Sequence, residues 1–186
     1  MQEKRIEMRI IGGEYRHRKI LWSKDASIRP TKDRIREAIF NALSNIDGKV
    51  FLDLYAGSGA MGIEALSRGA GFSYFVDCNQ SAISCVKENL KSLSIDNNYF
   101  HILYEKDVAA LKYFRDNNIK FDIVFLDPPY KKGEYENVVN LLFEYNLLSE
   151  SAIIITESEP DIRLIDSFSK HRNYKYGNIF VNIYWR

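Results

Sequence analysis

Residues 50–62 read VFLDLYAGSGAMG, a run of strand-forming residues closed by an acid and followed by three glycines ahead of an apolar stretch. Such a run predicts a buried strand, a tight turn and then a helix. Gly57, Gly59 and Gly62 fit G-x-G-x-x-G, and Asp77 closes the next strand-like run, FSYFVD, twenty residues beyond Gly57. In a strand–helix–strand unit this is the dinucleotide fingerprint: glycines let the backbone approach a ligand, and the acid can hold two ribose hydroxyls. A nicotinamide oxidoreductase is therefore the first function the pattern suggests. Asp53 argues against it. It ends the first strand beside the same turn, where its carboxylate would repel a diphosphate seated at the helix N-terminus. The same carboxylate would attract an ammonium or sulfonium group. S-adenosylmethionine carries both cations on its methionyl half and a ribose diol on its nucleoside half, so Asp53 and Asp77 together suit it better. Asp107, after the third strand, could accept from the adenine amino group with help from the Val108 backbone, or simply cap the next helix.

Outward from that stretch, strands and helices alternate. After FSYFVD a helix is expected near 80–93, with Ile83, Val86 and Leu90 on one face. YFHILY (99–104) precedes a helix near 108–117, and FDIVFLD (121–127) precedes one near 134–146. AIIITES (152–158) is a fifth strand, and the tail offers two more, near YKYGNI and FVNIYW. This order implies an α/β fold with a mostly parallel sheet covered on both faces, its last two strands close enough to form an antiparallel edge hairpin. With 186 residues, 46% of them hydrophobic, the chain can bury a sizeable core without disulfides.

The net charge of +1 hides an asymmetry. Residues 1–36 hold eleven Lys and Arg against five acids, whereas the remaining residues hold fifteen basic and twenty acidic side chains. A basic end on an acidic body suggests a polyanionic partner. Within it, RIIGGEYRHRKIL (9–21) reads as a β-hairpin or extended arm around Gly12-Gly13. A helix follows, with Thr31 as its N-cap and Ile35, Ala38, Ile39, Ala42 and Leu43 on one buried face. That spacing sets Arg34 and Arg36 off the apolar stripe, free to meet a ligand. Residues 1–30 are accordingly expected to form an arm packed on a main domain of residues 31–186.

FLDPPY (125–130) closes the fourth strand with an acid, two prolines and a tyrosine. An amino group on a flat base is a poor nucleophile, because its lone pair is delocalised into the ring. Two acceptors, the Asp127 carboxylate and the Pro128 carbonyl, could hold its N–H groups and turn the lone pair toward a methyl donor. Pro128 and Pro129 stiffen the loop, and Tyr130 offers a stacking face. A base inside a helix would have to be unstacked to enter. Asp127 would orient the amine and take its proton late, or pass it to solvent.

Other chemistries have less support. His17, His101 and His171 are scattered, and neither CxxC nor HExxH occurs, so no metal is expected. Neither Cys78 nor Cys85 sits in a loop suited to attack on a pyrimidine. No apolar run approaches the roughly 20 residues that cross a bilayer. With two cysteines and no signal-peptide pattern, a reduced, cytoplasmic setting is expected.

Three segments carry a resemblance across nearly the whole length: RIIGGEYRHRKI (9–20), RPTKDRIREAIFNAL (29–43) and FLDLYAGSGAMGIEALSRGA (51–70), with FLDPPY and ITESE (155–159) following in order. With them the chain resembles the bacterial RsmD-type enzymes, class I methyltransferases that modify the N2 amine of a guanine in small-subunit (16S) ribosomal RNA. The DPPY motif is shared with DNA and protein amino-methyltransferases. The arm with RPTKDRIRE is more specific. The resemblance implies a Rossmann-like fold with a seven-stranded sheet, and S-adenosylmethionine as cofactor. It places Asp53, Ala56, Gly57, Ser58, Gly59, Asp77, Cys78, Asp107 and Val108 around that cofactor, and Asp127, Pro128, Pro129 and Tyr130 around the guanine. Arg9, Arg16, Arg18, Arg29, Arg34 and Arg36 would grip the RNA, within an assembled or assembling 30S subunit. DNA adenine or a protein amide is the alternative acceptor.

Overall fold

The computed structural model describes residues 7–22, 33–128, 132–162, 164 and 168–186. Strands β1 (Glu7–Arg9) and β2 (Lys19–Leu21) pair antiparallel, Met8 opposite Ile20, so the basic arm is a hairpin. Helix α1 spans Asp33–Ala42; the expected cap Thr31 and the expected RNA contact Arg29 lie outside the described residues. Then follow β3 (Val50–Asp53), α2 (Ala60–Ser67), β4 (Phe72–Asp77), α3 (Gln80–Ser92), β5 (Phe100–Tyr104), α4 (Asp107–Asp116), β6 (Phe121–Leu126), α5 (Lys132–Glu144), β7 (Leu148–Ser158), β8 (Lys170–Tyr176) and β9 (Ile179–Trp185). Strands β3 to β9 form one seven-stranded sheet in the order β5-β4-β3-β6-β7-β9-β8. The first five are parallel, and β9 inserts antiparallel between β7 and the edge strand β8.

Both faces of the sheet are covered, as its near-continuous apolar strands require. On one face Leu52, Val124 and Ile154 pack with Leu111, Phe114, Val138 and Leu142 of α4 and α5. On the other, Phe51, Phe125, Ile155 and Ile183 pack with Ile35, Ile39 and Phe40 of α1 and Met61 and Ala65 of α2. Ile10 and Ile20 of the arm join Ile63, Phe75, Val86 and Leu90, which seats the hairpin against α2 and α3.

Two strands are longer than their apolar cores suggest. β7 begins at Leu148, which pairs with Phe121 across a register irregularity, and β8 begins at Lys170, opposite Trp185. The polar stretches SES and KHRN lack the apolar signal of a core strand: SES falls in the register break, where Ser149 donates to Asp122 at 2.9 Å, and KHRN pairs with β9 while His171 stacks on Tyr184 at 4.5 Å and Asn173 donates to Asn182 at 2.7 Å.

Chain order reverses between β3 and β6. From β3 the chain winds outward through β4 and β5, then returns to lay β6 and β7 on β3's other side. Ligands of open α/β sheets sit beyond the carboxyl ends of strands at such a switch point. No helix among the described residues is long and apolar enough to cross a membrane.

Candidate active site at the sheet's carboxyl edge

Register brings three acids together. Asp53 ends β3 and is paired with Phe125 of β6, which is paired in turn with Ile155 of β7. Asp127 and Glu157 each lie two residues beyond those partners. Side chains repeat every second residue along a strand, so the backbone register aims all three carboxyls to one face of the sheet. Electrostatics agree: burial pushes the Asp127 carboxyl well above its ordinary range, and the charges of Glu157 and Asp53 push it the same way. Asp53, 1% exposed, is pushed up to about 7 by burial, opposed by the N–H of Gly62 and aided by the charge of Asp77. Glu157 is also buried. Burial and crowding of this kind both favour the protonated carboxyl.

The glycine turn sets the second wall. Gly57 and Gly59 take left-handed backbone, φ 54° and 77°. The Gly59 N–H donates to the Ala56 carbonyl at 2.6 Å, and the Ala56 N–H to Val76 at 2.9 Å. Gly57 donates its N–H to Asp77 Oδ2 at 2.8 Å, and Asn79 donates its own to Asp77 Oδ1 at 2.8 Å. The half-buried Asp77 carboxylate is thus fixed at the strand end beside the exposed Cys78. Ser58 is buried in the turn. Gly62 donates its N–H to Asp53 Oδ2 at 3.0 Å.

Asp107 opens α4. Its Oδ1 accepts the Val108 N–H at 2.7 Å, and its Oδ2 accepts the Tyr55 hydroxyl at 2.8 Å. The tyrosine just after the first strand therefore touches the acid after the third. Sequence reasoning passed over Tyr55. It also gave no role to Glu157, although the signal was present: like Asp53, Asp77 and Asp127, Glu157 is an acid near the end of a core strand. Pro128 is buried beside Asp127; Pro129 and Tyr130 lie outside the described residues.

The arm is built onto helices α2 and α3 by buried polar groups. Glu64 of α2, 1% exposed, accepts the N–H groups of Ile11 and Gly12, both at 2.8 Å. Ser67 donates to the Gly12 carbonyl at 2.6 Å and accepts the Tyr15 N–H at 2.9 Å. Asn89 of α3 accepts the Leu21 N–H at 2.7 Å and donates to the carbonyls of Leu21 and Ser58, each at 2.9 Å. One buried amide thereby ties strand β2 to the glycine turn.

Among the expected RNA contacts, Arg16 and Arg34 are exposed. Arg18 is exposed and donates to the Ser92 carbonyl at 3.0 Å. Arg9 is exposed and pairs with Asp33 at 2.8 Å. Arg36 is a correction. It is 1% exposed and donates to the Arg9 carbonyl at 2.6 Å and to Asp33 at 3.0 Å. Burial lowers its pKa, and the charges of Asp33, Glu64 and Glu157 oppose that loss. It is an internal cation between the arm and the acidic edge, not a free RNA contact.

The chain matches the family described as Conserved hypothetical protein 95 over residues 8–185. It is 34% identical to the ribosomal RNA small subunit methyltransferase D of Escherichia coli K12, over 97% of this chain and 90% of that one. A candidate rRNA methyltransferase of Bacillus subtilis, YlbH, is 37% identical over 95% of this chain and 98% of its own. Among solved structures, a candidate methyltransferase from Escherichia coli, yhhF, superposes with a TM-score of 0.83 at 33% identity, covering 97% of this chain and 98% of that one.

Proposed function

The chain belongs to the Conserved hypothetical protein 95 family, and on that premise we propose that it methylates the exocyclic N2 amine of a guanine in small-subunit ribosomal RNA, using S-adenosylmethionine. The substrate is the rRNA within an assembled or assembling 30S subunit in the cytoplasm. Residues 1–30 serve as an RNA-binding arm on a catalytic domain of residues 31–186.

The observation that carries this reading is the set of carboxyls on one face of the switch point, with Asp53 and Asp127 both shifted upward. Carboxyls converging on one face favour a cationic ligand by charge and disfavour a pyrophosphate. The residues fit S-adenosylmethionine: Asp53 and its neighbours face positive charge, Asp77 is fixed for a ribose diol, and Ala56 to Gly59 offer backbone to a flat ligand. Asp107 and Val108, with Cys78, close the adenine end. When bound, the cofactor supplies a methyl group on a cationic sulfur.

Asp127 accepts one N–H of the guanine amine, and the Pro128 carbonyl accepts the other. The amine lone pair is thereby turned out of conjugation and toward the methyl. As the N–C bond formed, the methyl–sulfur bond would break with its electron pair left on a now neutral sulfur, and one amine proton would leave to Asp127 or to solvent. Little charge has to be stabilised, so alignment and exclusion of water account for most of the acceleration. Pro129 and Tyr130 complete the base pocket in this reading. A DNA adenine or a protein amide would use the same acceptor pair, and the arm favours rRNA over both.

The test is incubation with methyl-labelled cofactor and unmodified small subunits, then nucleoside digestion. N2-methylguanosine is the expected product; label in DNA or protein alone would end the reading. Asp127→Ala is expected to lower turnover by at least a thousandfold (order of magnitude from loss of alignment), with cofactor affinity changed only a few-fold. An active variant would remove Asp127 from the chemistry.

A further inference from the structure

The C-terminal hairpin β8–β9 is basic and aromatic where it meets solvent. Residues 167–186 carry Lys170, Arg172, Lys175 and Arg186 and no acid. β8 is the outermost strand of the sheet, and Lys170, Arg172 and Lys175 are exposed along it. Among the described residues none of these three forms an ion pair with an acid. They lie over aromatic rings instead. Lys170 Nζ is 4.8 Å from the Trp185 centroid, the Arg172 guanidinium 5.7 Å from the same ring, and Lys175 Nζ 5.1 Å from Phe180.

Lysines on an edge strand also keep a second chain from adding to the sheet, and that role alone would explain charge. It does not explain the position. Lys175 pairs with Phe180, which pairs with Ser158, the residue after Glu157. The hairpin turn therefore lies at the same edge as the acids, about 10 Å along the sheet from β7 at two strand spacings. Tyr174 and Tyr176 pack against the core cluster that includes Ile35, Ile39 and Phe40 of α1, the helix that carries the exposed Arg34. The arm sits on the other flank, against α2 and α3. The Lys175 end of the hairpin and the arm thus flank Asp127 from opposite sides, while Lys170 and Arg172, level with Ile153 and Ile155, continue the basic strip along the edge strand for about 16 Å away from the acids and on the strand's other face.

We propose that the β8–β9 hairpin is a second RNA-binding surface, its cations taking the phosphate backbone that flanks the target nucleotide. This rests on the rRNA-methyltransferase reading. Aromatic faces hold the cations in place without neutralising them, which keeps their charge available for phosphate. Such contacts position the substrate and are strongly salt-dependent.

The test compares the full-length protein with the triple variant Lys170→Gln/Arg172→Gln/Lys175→Gln. Both are measured for binding to unmodified small subunits and to protein-free 16S rRNA across a salt series, and for methyl transfer. The variant is expected to bind both about tenfold more weakly, with a salt slope shallower by about 2 for three lost phosphate contacts. Turnover at saturating substrate and cofactor affinity should be unchanged. The charge-keeping variant Lys170→Arg/Arg172→Lys/Lys175→Arg should behave as the parent, and Lys49→Gln/Lys120→Gln, at the opposite edge of the sheet, should leave the slope intact. An unchanged slope in the triple variant, or an equal change in the opposite-edge control, overturns the proposal. Weakened binding to subunits but not to free rRNA would assign the hairpin to a protein contact and overturn it too. If the parent protein yields no N2-methylguanosine, the underlying reading fails first, whatever the hairpin does.

Discussion

Gly62 shows how one missing carbon shapes the site. It lies in the first turn of α2, and a Cβ there would come within 2.3 Å of Phe75 Cε1 and 2.7 Å of Ser73 Oγ on β4. The helix therefore lies close enough to the sheet for the Gly62 N–H to reach Asp53. Alanine would gain about 1 kcal/mol of helix propensity in an exposed helix. Here the overlap with a ring and a strand costs about 1–3 kcal/mol, so the penalty wins. Gly62→Ala is expected to lower the denaturant midpoint and weaken cofactor binding together. A more stable variant would show that the helix can lift off β4 without loss. Arg36 makes the opposite point about single residues. Helical spacing sets it beside the apolar stripe of Ile35 and Ile39, which by itself suggests solvent. Its cover comes from Arg9, twenty-seven residues earlier, and no local pattern announces a contact so distant in sequence.

At the scale of elements, the parallel strands were legible because each is an apolar run closed by an acid or a turn. The acids closing β3, β4 and β6 were legible as lying at one edge of the sheet for the same reason. The polar starts of β7 and β8 were not legible, since what holds them is contact with residues distant in sequence, Ser149 on Asp122 and His171 on Tyr184, and not an apolar pattern of their own. Nor was the seat of the arm, which depends on Glu64, Ser67 and Asn89, ordinary polar residues of α2 and α3 that sequence alone gives no cause to bury. Asn89 is the sharpest case. Removing its amide leaves the Leu21 N–H and the carbonyls of Leu21 and Ser58 without that partner. Each buried group so stranded costs about 1–3 kcal/mol, although relaxation recovers part of the sum. Asn89→Ala is therefore expected to destabilise the protein by roughly 2–4 kcal/mol. Its hydrogen-exchange signature should be specific: amides of β1, β2 and the glycine turn exchange faster, while the central strands β3, β6 and β7 keep their relative protection. Cofactor affinity should fall with the arm's protection. Faster exchange confined to either segment would mean that Asn89 does not join them.

At the scale of the whole molecule, positive charge gathers at the two ends of the chain and negative charge in the body between them. The buried part of that negative charge, at the sheet edge, links folding and ligand binding to pH. The Asp53 carboxyl stands at about 7 in the folded chain, against an ordinary value of 3.8. The folded state then holds a proton that the unfolded state releases between those values. Its contribution is complete below about pH 4 and lost as pH rises through about 7. Full ionisation without a cation would withdraw on the order of 4 kcal/mol. Asp127, also shifted upward, acts in the same direction. The protein without cofactor is therefore expected to melt at progressively lower temperature from pH 5 to pH 8, and Asp53→Asn should flatten that fall. Binding of a cationic ligand should show the reverse dependence, because it selects the ionised carboxyl. S-adenosylmethionine affinity should rise about tenfold from pH 6 to pH 8, the ratio expected for one group near 7. Titration calorimetry in buffers of different ionisation enthalpy should register proton release to the medium at pH 6 and little at pH 8. Proton uptake, or an affinity that falls with pH, would show that the acids at this edge do not face the cofactor's positive charge.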